Sequence, residues 1–368
     1  MKKKIFKNIE WGILICTILL IFIGLVALFS ATQNSNYDEL KKQIIWLCIS
    51  IPIFIVILLI DYEIVAKAAP VFYAIIMILL VAVLFTKPIN GARSWFDIGP
   101  LSFQPSEFAK IFVIITFSLV ITKIQKKGRK EISRPTRLVL SLLVVAVPVG
   151  LIALQPDFGT ALAFLVSTVM ILFVAGIDKK YIIISILLVI ILAPIMYFFV
   201  LPEHAKTRID VYLNPNLDPR GSGYNIIQSK LAIGAGQLFG MGVLKGNQTQ
   251  LGFLYPKTTD FIFSVIGEEM GFLVTALIVF LYVFLITKSI YVAKTAKDDL
   301  GSYIATGIAG IFLFHMVENI GMTIGLLPIT GVPLPFVSYG GSSLLTNLVL
   351  IALLLNISGR RQKAIFVE

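Results

Sequence analysis

The chain has 368 residues, is 58% hydrophobic and 14% charged, and has a mean hydropathy of +0.94. A soluble domain is nearer half apolar and a quarter charged, so this excess excludes a soluble globular protein. The net charge of +11 does not mark a nucleic-acid binder, because the basic residues fall in short segments between apolar runs.

Lys2, Lys3, Lys4 and Lys7 precede an apolar run from Trp11 to Ser30. That run is too long for the core of a signal peptide and more runs follow, so it reads as a retained first spanning helix. A span needs about 20 mostly apolar residues. On that measure the predicted spans are 11–30, 43–60, 69–86, 106–122, 138–154, 158–176, 181–200, 261–287, 302–327 and 338–357. The expected fold is all-α: a polytopic membrane protein with ten transmembrane helices, in a single integral membrane domain, 1–368. "QPDF" between the fifth and sixth runs either closes an antiparallel pair or interrupts one broken helix. Cys16 and Cys48 both fall inside apolar runs and read as buried, inert thiols.

Loop charge sets the orientation. One set of segments holds the N-terminal lysines, Lys67, the run Lys123 to Arg137, Lys179, Lys180, Lys288, Lys294, Lys297, Arg360, Arg361 and Lys363. The opposite short loops hold only Lys41, Lys42, Lys87 and Arg93. Both termini are therefore expected in the cytoplasm, with the basic run against anionic lipid head groups. Residues 201–259, between helices 7 and 8, form a long extracellular loop, and loops of that length usually have a function. Within it "YNIIQSKLAIGAGQLFG" (224–240) fits an interfacial or re-entrant helix. "GAGQLFGMG" (234–242) lacks the lysine and strand context of a phosphate loop.

The outward side collects the residues that could carry chemistry. In "TTDFIFSVIGEEMGF" (258–272) a helix from about residue 260 puts Asp260 in its first turn. There it either complements the helix dipole or acts as a base or metal ligand. Glu268 would lie about 80° around and ~12 Å deeper, and Glu269 would point away. "QPSEFAK" opens a helix with Pro105, and Glu107 and Lys110 share one face three residues apart. They are either a self-neutralising pair or a polar cavity lining. "KPINGARSWFDIGP" carries Arg93, Trp95 and Asp97, with Trp95 either an interfacial belt residue or a face for a sugar ring. "LQPDFGT" places Asp157 in a first turn. In "FHMVENIGM" His315, Glu318 and Asn319 lie one turn apart, which fits function or helix gluing. "LLPITGVPLPFVSYGGSS" (326–343) is irregular backbone at membrane depth and includes Ser342 among the substrate-binding candidates. The loop cations Lys206, Arg208, Arg220, Lys230, Lys245 and Lys257 either hold an anionic head group or are solvated surface charge.

These motifs resemble the SEDS family (shape, elongation, division and sporulation). The resemblance rests on "GARSWFDIGPLSFQPSEFAK", "LQPDFGTAL", "GSGYNIIQSKLAIGAGQLFGMG", "QTQLGFLYPKTTDFIFSVIGEEMGF", "NIGMTIGLLPITGVPLPFVSYGGSS" and "NISGRR", roughly residues 10 to 361. "GNQTQLGFLYPKTTDF" and "ARSWFDIGPLSFQPSEF" look more like the rod-elongation branch than the division branch. The resemblance implies a ten-helix fold and a peptidoglycan glycosyltransferase of the bacterial cytoplasmic membrane, with an extracellular-facing site. The implied substrate is lipid II, a disaccharide-pentapeptide on undecaprenyl pyrophosphate. It further implies a divalent cation, Mg²⁺ or Mn²⁺, and a class B penicillin-binding protein transpeptidase as partner. The family's essential acid matches Asp260, and Glu268, Trp95, Glu107, Lys110, Asp157 and Asn319 match other motif positions. Glu318 stands where the pattern has an apolar residue, so no role passes to Glu318 or His315.

The implied reaction sends a sugar hydroxyl to an anomeric carbon bearing pyrophosphate. Asp260 would serve as base or as ligand to the cation. One acid at a mouth fits direct inversion better than the paired carboxylates of a retaining enzyme. Two other classes stay open: a lipid flippase with Glu107, Lys110, Asp157 and Glu318 as a polar path, and a non-catalytic scaffold.

Overall fold

The computed structural model describes residues 8–87, 92–98, 101–200, 203–214, 217–218 and 221–361. Lys2, Lys3, Lys4, Lys7, Arg220 and Lys363 lie outside the described residues. Seven long helices come first: α1 (Trp11–Ala31), α2 (Asp38–Leu59), α3 (Tyr62–Ala82), α4 (Pro105–Gln125), α5 (Pro135–Ala153), α6 (Phe158–Ala175) and α7 (Lys179–Ile195). The long loop holds α8 (Glu203–Leu213) and α9 (Ser222–Ala235). Then come α10 (Ile262–Lys294), α11 (Asp299–Thr323) and α12 (Gly341–Gly359).

Among the described residues nine helices are long and apolar enough to cross a membrane: all of these but α4, α8 and α9. The remaining expected span, 106–122, is helical throughout as α4, whose first turns carry Glu107 and Lys110. Local sequence explains several starts. Pro105 and Pro135 occupy first-turn positions, where a missing N–H costs nothing. Asp61, Asp157 and Asp298 cap α3, α6 and α11 by accepting from Glu63, Thr160 and Gly301 N–H groups.

The apolar pattern sorts the helices by depth. α12 is buried along its whole length, as a central helix should be, with its polar side chains near its two ends. α11 packs beside it and between α10 and α6. The outer helices expose Phe22, Val71, Ile78, Phe173 and Ile190, the surface a lipid-facing bundle presents. The first and last described segments meet on one side. Arg361 pairs with Glu10 at 2.6 Å, Lys288 with Glu10 at 3.3 Å and Arg360 with Asp61 at 3.2 Å. Asn356 Nδ2 donates to the carbonyl of Ile57 at 2.7 Å on the same side.

Several expectations need correction. α2 begins at Asp38, five residues before the predicted 43, so Lys41 and Lys42 ride its first turns instead of a loop. A turn at "QPDF", as the ten spans require, is by contrast what forms: the gap at 154–157 separates two packed helices, α5 and α6. Cys16 is buried, its Sγ donating to the Leu281 carbonyl, but Cys48 is exposed. The loop before α4 forms a small antiparallel hairpin, β1 (Phe96–Ile98) against β2 (Leu101–Phe103). α10 starts at Ile262, so Asp260 lies ahead of its cap residue, Phe261, and not in its first turn.

α10 is also two helices end to end, broken at Gly271 with φ 78° and ψ −176°. The chain 237–242 wraps the break. Met241 and Gly242 N–H donate to the Glu268 and Glu269 carbonyls, each at 2.9 Å, and Phe272 N–H donates to the Gln237 carbonyl at 2.8 Å. Backbone groups freed by the kink thus find partners, as irregular backbone within a bundle requires. "GAGQLFGMG" is therefore a packing segment. A Cβ at 271 would stand 2.3 Å from the Gly240 nitrogen, in a conformation that side chains rarely adopt. Gly271→Ala is expected to destabilise by at least the ~1–3 kcal/mol of such backbone strain. Thermal unfolding in detergent checks this; an unchanged midpoint would remove the kink's claimed importance.

Candidate active site

Asp260 belongs to a turn, 256–261, at the end of the bundle opposite the Glu10–Arg361 pair. Phe261 N–H donates to the Pro256 carbonyl at 3.2 Å. Three successive carbonyls of the turn are then tied down. Thr258 accepts from Tyr339 N–H at 2.9 Å, Thr259 from Ser338 Oγ at 2.7 Å and Asp260 from Asn319 Nδ2 at 3.1 Å. These bonds fix the backbone of the turn through its carbonyls and not through the Asp260 carboxyl.

Burial pushes the Asp260 carboxyl above its ordinary range, and the Thr259 hydroxyl and the Arg208 guanidinium partly offset this. Arg208, on α8, also directs Nη1 to the Thr330 carbonyl at 3.5 Å. Gly331 follows, with φ 76°, and a Cβ there would stand 3.6 Å from Asp260 Oδ2. A base with a raised pKa loses activity as pH falls through that raised value. Removing Arg208 raises it further. Arg208→Ala is therefore expected to move the acid limb of the pH–rate profile to higher pH; an unmoved or lowered limb would refute the coupling.

A second polar centre lies inside α4. Glu107 and Lys110 are both buried, with Lys110 Nζ at 2.8 Å from Glu107 Oε2. Thr346 Oγ1 donates to the same oxygen at 3.1 Å. Lys110 Nζ also lies 3.3 Å from His315 Nε2, and His315 Nδ1 lies 3.0 Å from the Pro333 carbonyl. A carbonyl only accepts, so Nδ1 carries the proton and Nε2 accepts from the ammonium.

The other candidates are distributed around these centres. Asp157 caps α6 and accepts from Gln104 Nε2 at 3.2 Å, joining the start of α6 to the start of α4. Burial raises its pKa, and the bonds from Thr160 lower it in part. Ser342 Oγ accepts from Gln104 N–H and donates to the Ser102 carbonyl, both at 3.2 Å, so it seats the hairpin on α12. Arg93 is exposed, and its Nη1 donates to the Leu84 carbonyl at 3.1 Å. Trp95 is partly buried beside β1. Asn319 Nδ2 reaches the Val332 carbonyl at 2.9 Å as well as Asp260.

Glu268 and Glu269 are both buried, and both hold the segment 246–250. Glu268 accepts from Gln248 N–H at 2.6 Å, Thr249 N–H at 2.9 Å and Thr249 Oγ1 at 2.7 Å. Glu269 accepts from Gln250 Nε2 at 2.9 Å and Gly246 N–H at 3.4 Å. Glu269, expected to point away, therefore shares its neighbour's target. Lys257 Nζ donates to the Thr249 carbonyl at 2.9 Å beside them. Burial lowers its pKa, offset first by Glu269. Sequence reasoning left His315 without a role and did not single out Thr330, Thr346 or Gln104. The i, i+3, i+4 spacing of His315, Glu318 and Asn319 was the available signal for the first.

The family model FtsW/RodA/SpoVE, described as cell cycle protein, matches residues 10–363. The peptidoglycan glycosyltransferase MrdB of Escherichia coli K12 is 36% identical over 353 residues, covering 95% of this chain and 93% of that one. A chain from a solved structure on the structural coordination of polymerization and crosslinking by a peptidoglycan synthase complex superposes with TM-score 0.82 and 28% identity. It covers 95% of this chain and 97% of that chain. The rod shape determining protein RodA of Thermus thermophilus superposes with TM-score 0.72 and 27% identity, over 96% and 98%. The match runs through nearly the whole chain, across the helices, the long loop and the turn that holds Asp260, and this multi-pass protein of the cytoplasmic membrane belongs to the FtsW/RodA/SpoVE (SEDS) family.

Proposed function

We propose that the chain is a peptidoglycan glycosyltransferase that polymerises lipid II on the outer face of the cytoplasmic membrane, in cell elongation. The observation that carries the reading is Asp260: a carboxyl with raised proton affinity, on an anchored turn, beside Arg208. Asp260 takes the proton from the attacking sugar hydroxyl. Arg208 faces the negative charge that grows on the departing pyrophosphate. A single acid at the site fits inversion by direct displacement. The closure of Glu107 and Lys110 upon each other weighs against a polar conduction path and so against a flippase.

Among the described residues no group of three or more His, Cys, Asp or Glu side chains could hold a metal. The donor set fits Mg²⁺ or Mn²⁺ that arrives with substrate phosphates, since Mg²⁺ commonly binds one or two carboxylates plus phosphate oxygens. The ion would neutralise pyrophosphate charge, and Asp260 would be its protein ligand only in place of its role as base. A class B penicillin-binding protein is the proposed partner, in keeping with the synthase complex that supplies one structural relative.

Purified protein in liposomes, with a class B partner, lipid II and Mg²⁺, is expected to yield glycan polymer on gels. Translocation of fluorescent lipid II without polymer would overturn the reading in favour of a flippase.

A further inference from the structure

Helix α11 turns three polar side chains toward one stretch of chain, 330–333. Asn319 Nδ2 donates to the Val332 carbonyl at 2.9 Å, and His315 Nδ1 donates to the Pro333 carbonyl at 3.0 Å. Glu318 Oε1 accepts from the Thr330 hydroxyl at 2.8 Å. The first two hold main chain, which any residue type supplies. Glu318 alone holds a side chain, so its grip depends on which residue occupies 330.

Glu318 is also the expensive member of the set. It is 6% exposed within a spanning helix, and Thr330 is its one hydrogen-bond partner among the described residues. None of the ion pairs among those residues includes it. A carboxylate there is costly, and an apolar side chain would fill the site without that cost. What the carboxylate adds is the bond to Thr330.

Thr330 carries that bond into the active site. Its carbonyl faces Arg208 Nη1 at 3.5 Å. Its neighbour Gly331 presents its Cα face to Asp260 Oδ2. Thr330 and Gly331 therefore form the ledge against which the base and its neighbouring cation rest. We propose that Glu318 is a positioning residue for the transfer reaction: through the Thr330 hydroxyl it fixes this ledge, and with it the placement of Asp260 and Arg208. The proposal rests on the reading of Asp260 as the base. Misplacement of a reacting group by about 1 Å costs on the order of a hundredfold in rate, so a slackened ledge has a measurable effect.

The test is a double-mutant cycle on lipid II polymerisation with the partner present. Glu318→Val and Thr330→Val are each expected to lower kcat about tenfold or more, with KM changed less than about twofold. The double variant should be no slower than the worse single. Glu318→Gln keeps an acceptor for the Thr330 hydroxyl and should recover most of the rate lost in Glu318→Val. Hydrogen exchange adds an arm that needs no activity: both valine variants should speed exchange in 330–340 and not elsewhere, and Glu318→Gln should not. Losses that multiply in the double variant, or a Glu318→Gln as slow as Glu318→Val, would overturn the proposal. So would unchanged exchange in 330–340. If the wild type makes no polymer, the reading of Asp260 fails, while the exchange arm still decides whether Glu318 fixes the ledge.

Discussion

Asp260→Asn is expected to lower kcat for lipid II polymerisation by about 10²–10⁴-fold, the range that a positioned general base contributes. KM should change little, because the amide keeps the size and polarity of the carboxyl. The fold should survive as well. Asn319 and the neighbouring anchors hold the carbonyls of Thr258, Thr259 and Asp260, not the carboxylate. The pH profile supplies a second check. In the wild type the acid limb should lie above the ordinary aspartate value of about 3.9, since burial raises this carboxyl and ionisation is needed for it to act as base. The residual activity of the variant should lack that limb. A variant with normal kcat, or one that unfolds at markedly lower temperature, would show that Asp260 is a structural residue.

The spans were legible because a bilayer leaves few choices: runs of about 20 apolar residues must become helices. The acids were harder. From spacing alone, Glu268 and Glu269 on an unbroken helix point in different directions. In the fold they converge, because 246–250 presents its N–H groups to both. That partner lies about twenty residues away through a turn of chain, and no helical period encodes it. The start of α10 at Ile262 and its break at Gly271 were obscured for the same reason: bonds from 237–242 satisfy the backbone there. The cluster at α11 was half visible. His315, Glu318 and Asn319 shared a face by spacing, but the proline-rich stretch they hold had no periodicity to place it. The exposure of Cys48 shows the remaining limit: an apolar run locates a helix without saying which face is inside.

Lys110→Met is expected to be among the most destabilising substitutions in the protein, and Glu107→Gln on top of it should restore much of the loss. The reason is the asymmetry of buried charge. Both side chains are at most 2% exposed. With lysine removed, Glu107 keeps the Thr346 hydroxyl and loses its only counter-charge among the described residues. Breaking a buried pair from one side costs about 3–5 kcal/mol, whereas replacing both partners is often near neutral. The melting temperature in detergent should therefore fall sharply in Lys110→Met and recover in Glu107→Gln/Lys110→Met. Activity should not recover with it. Lys110 also supplies the ammonium that His315 Nε2 accepts from, and His315 in turn holds the Pro333 carbonyl next to the segment bearing Thr330 and Gly331. The double variant lacks that ammonium, so its His315 is as unsupported as in the single. A stable double variant with low kcat would separate the two roles of the pair: neutralising itself within the bundle, and bracing the chain beside Asp260. A double variant as unstable as Lys110→Met would refute the charge account, and one with full activity would refute the bracing.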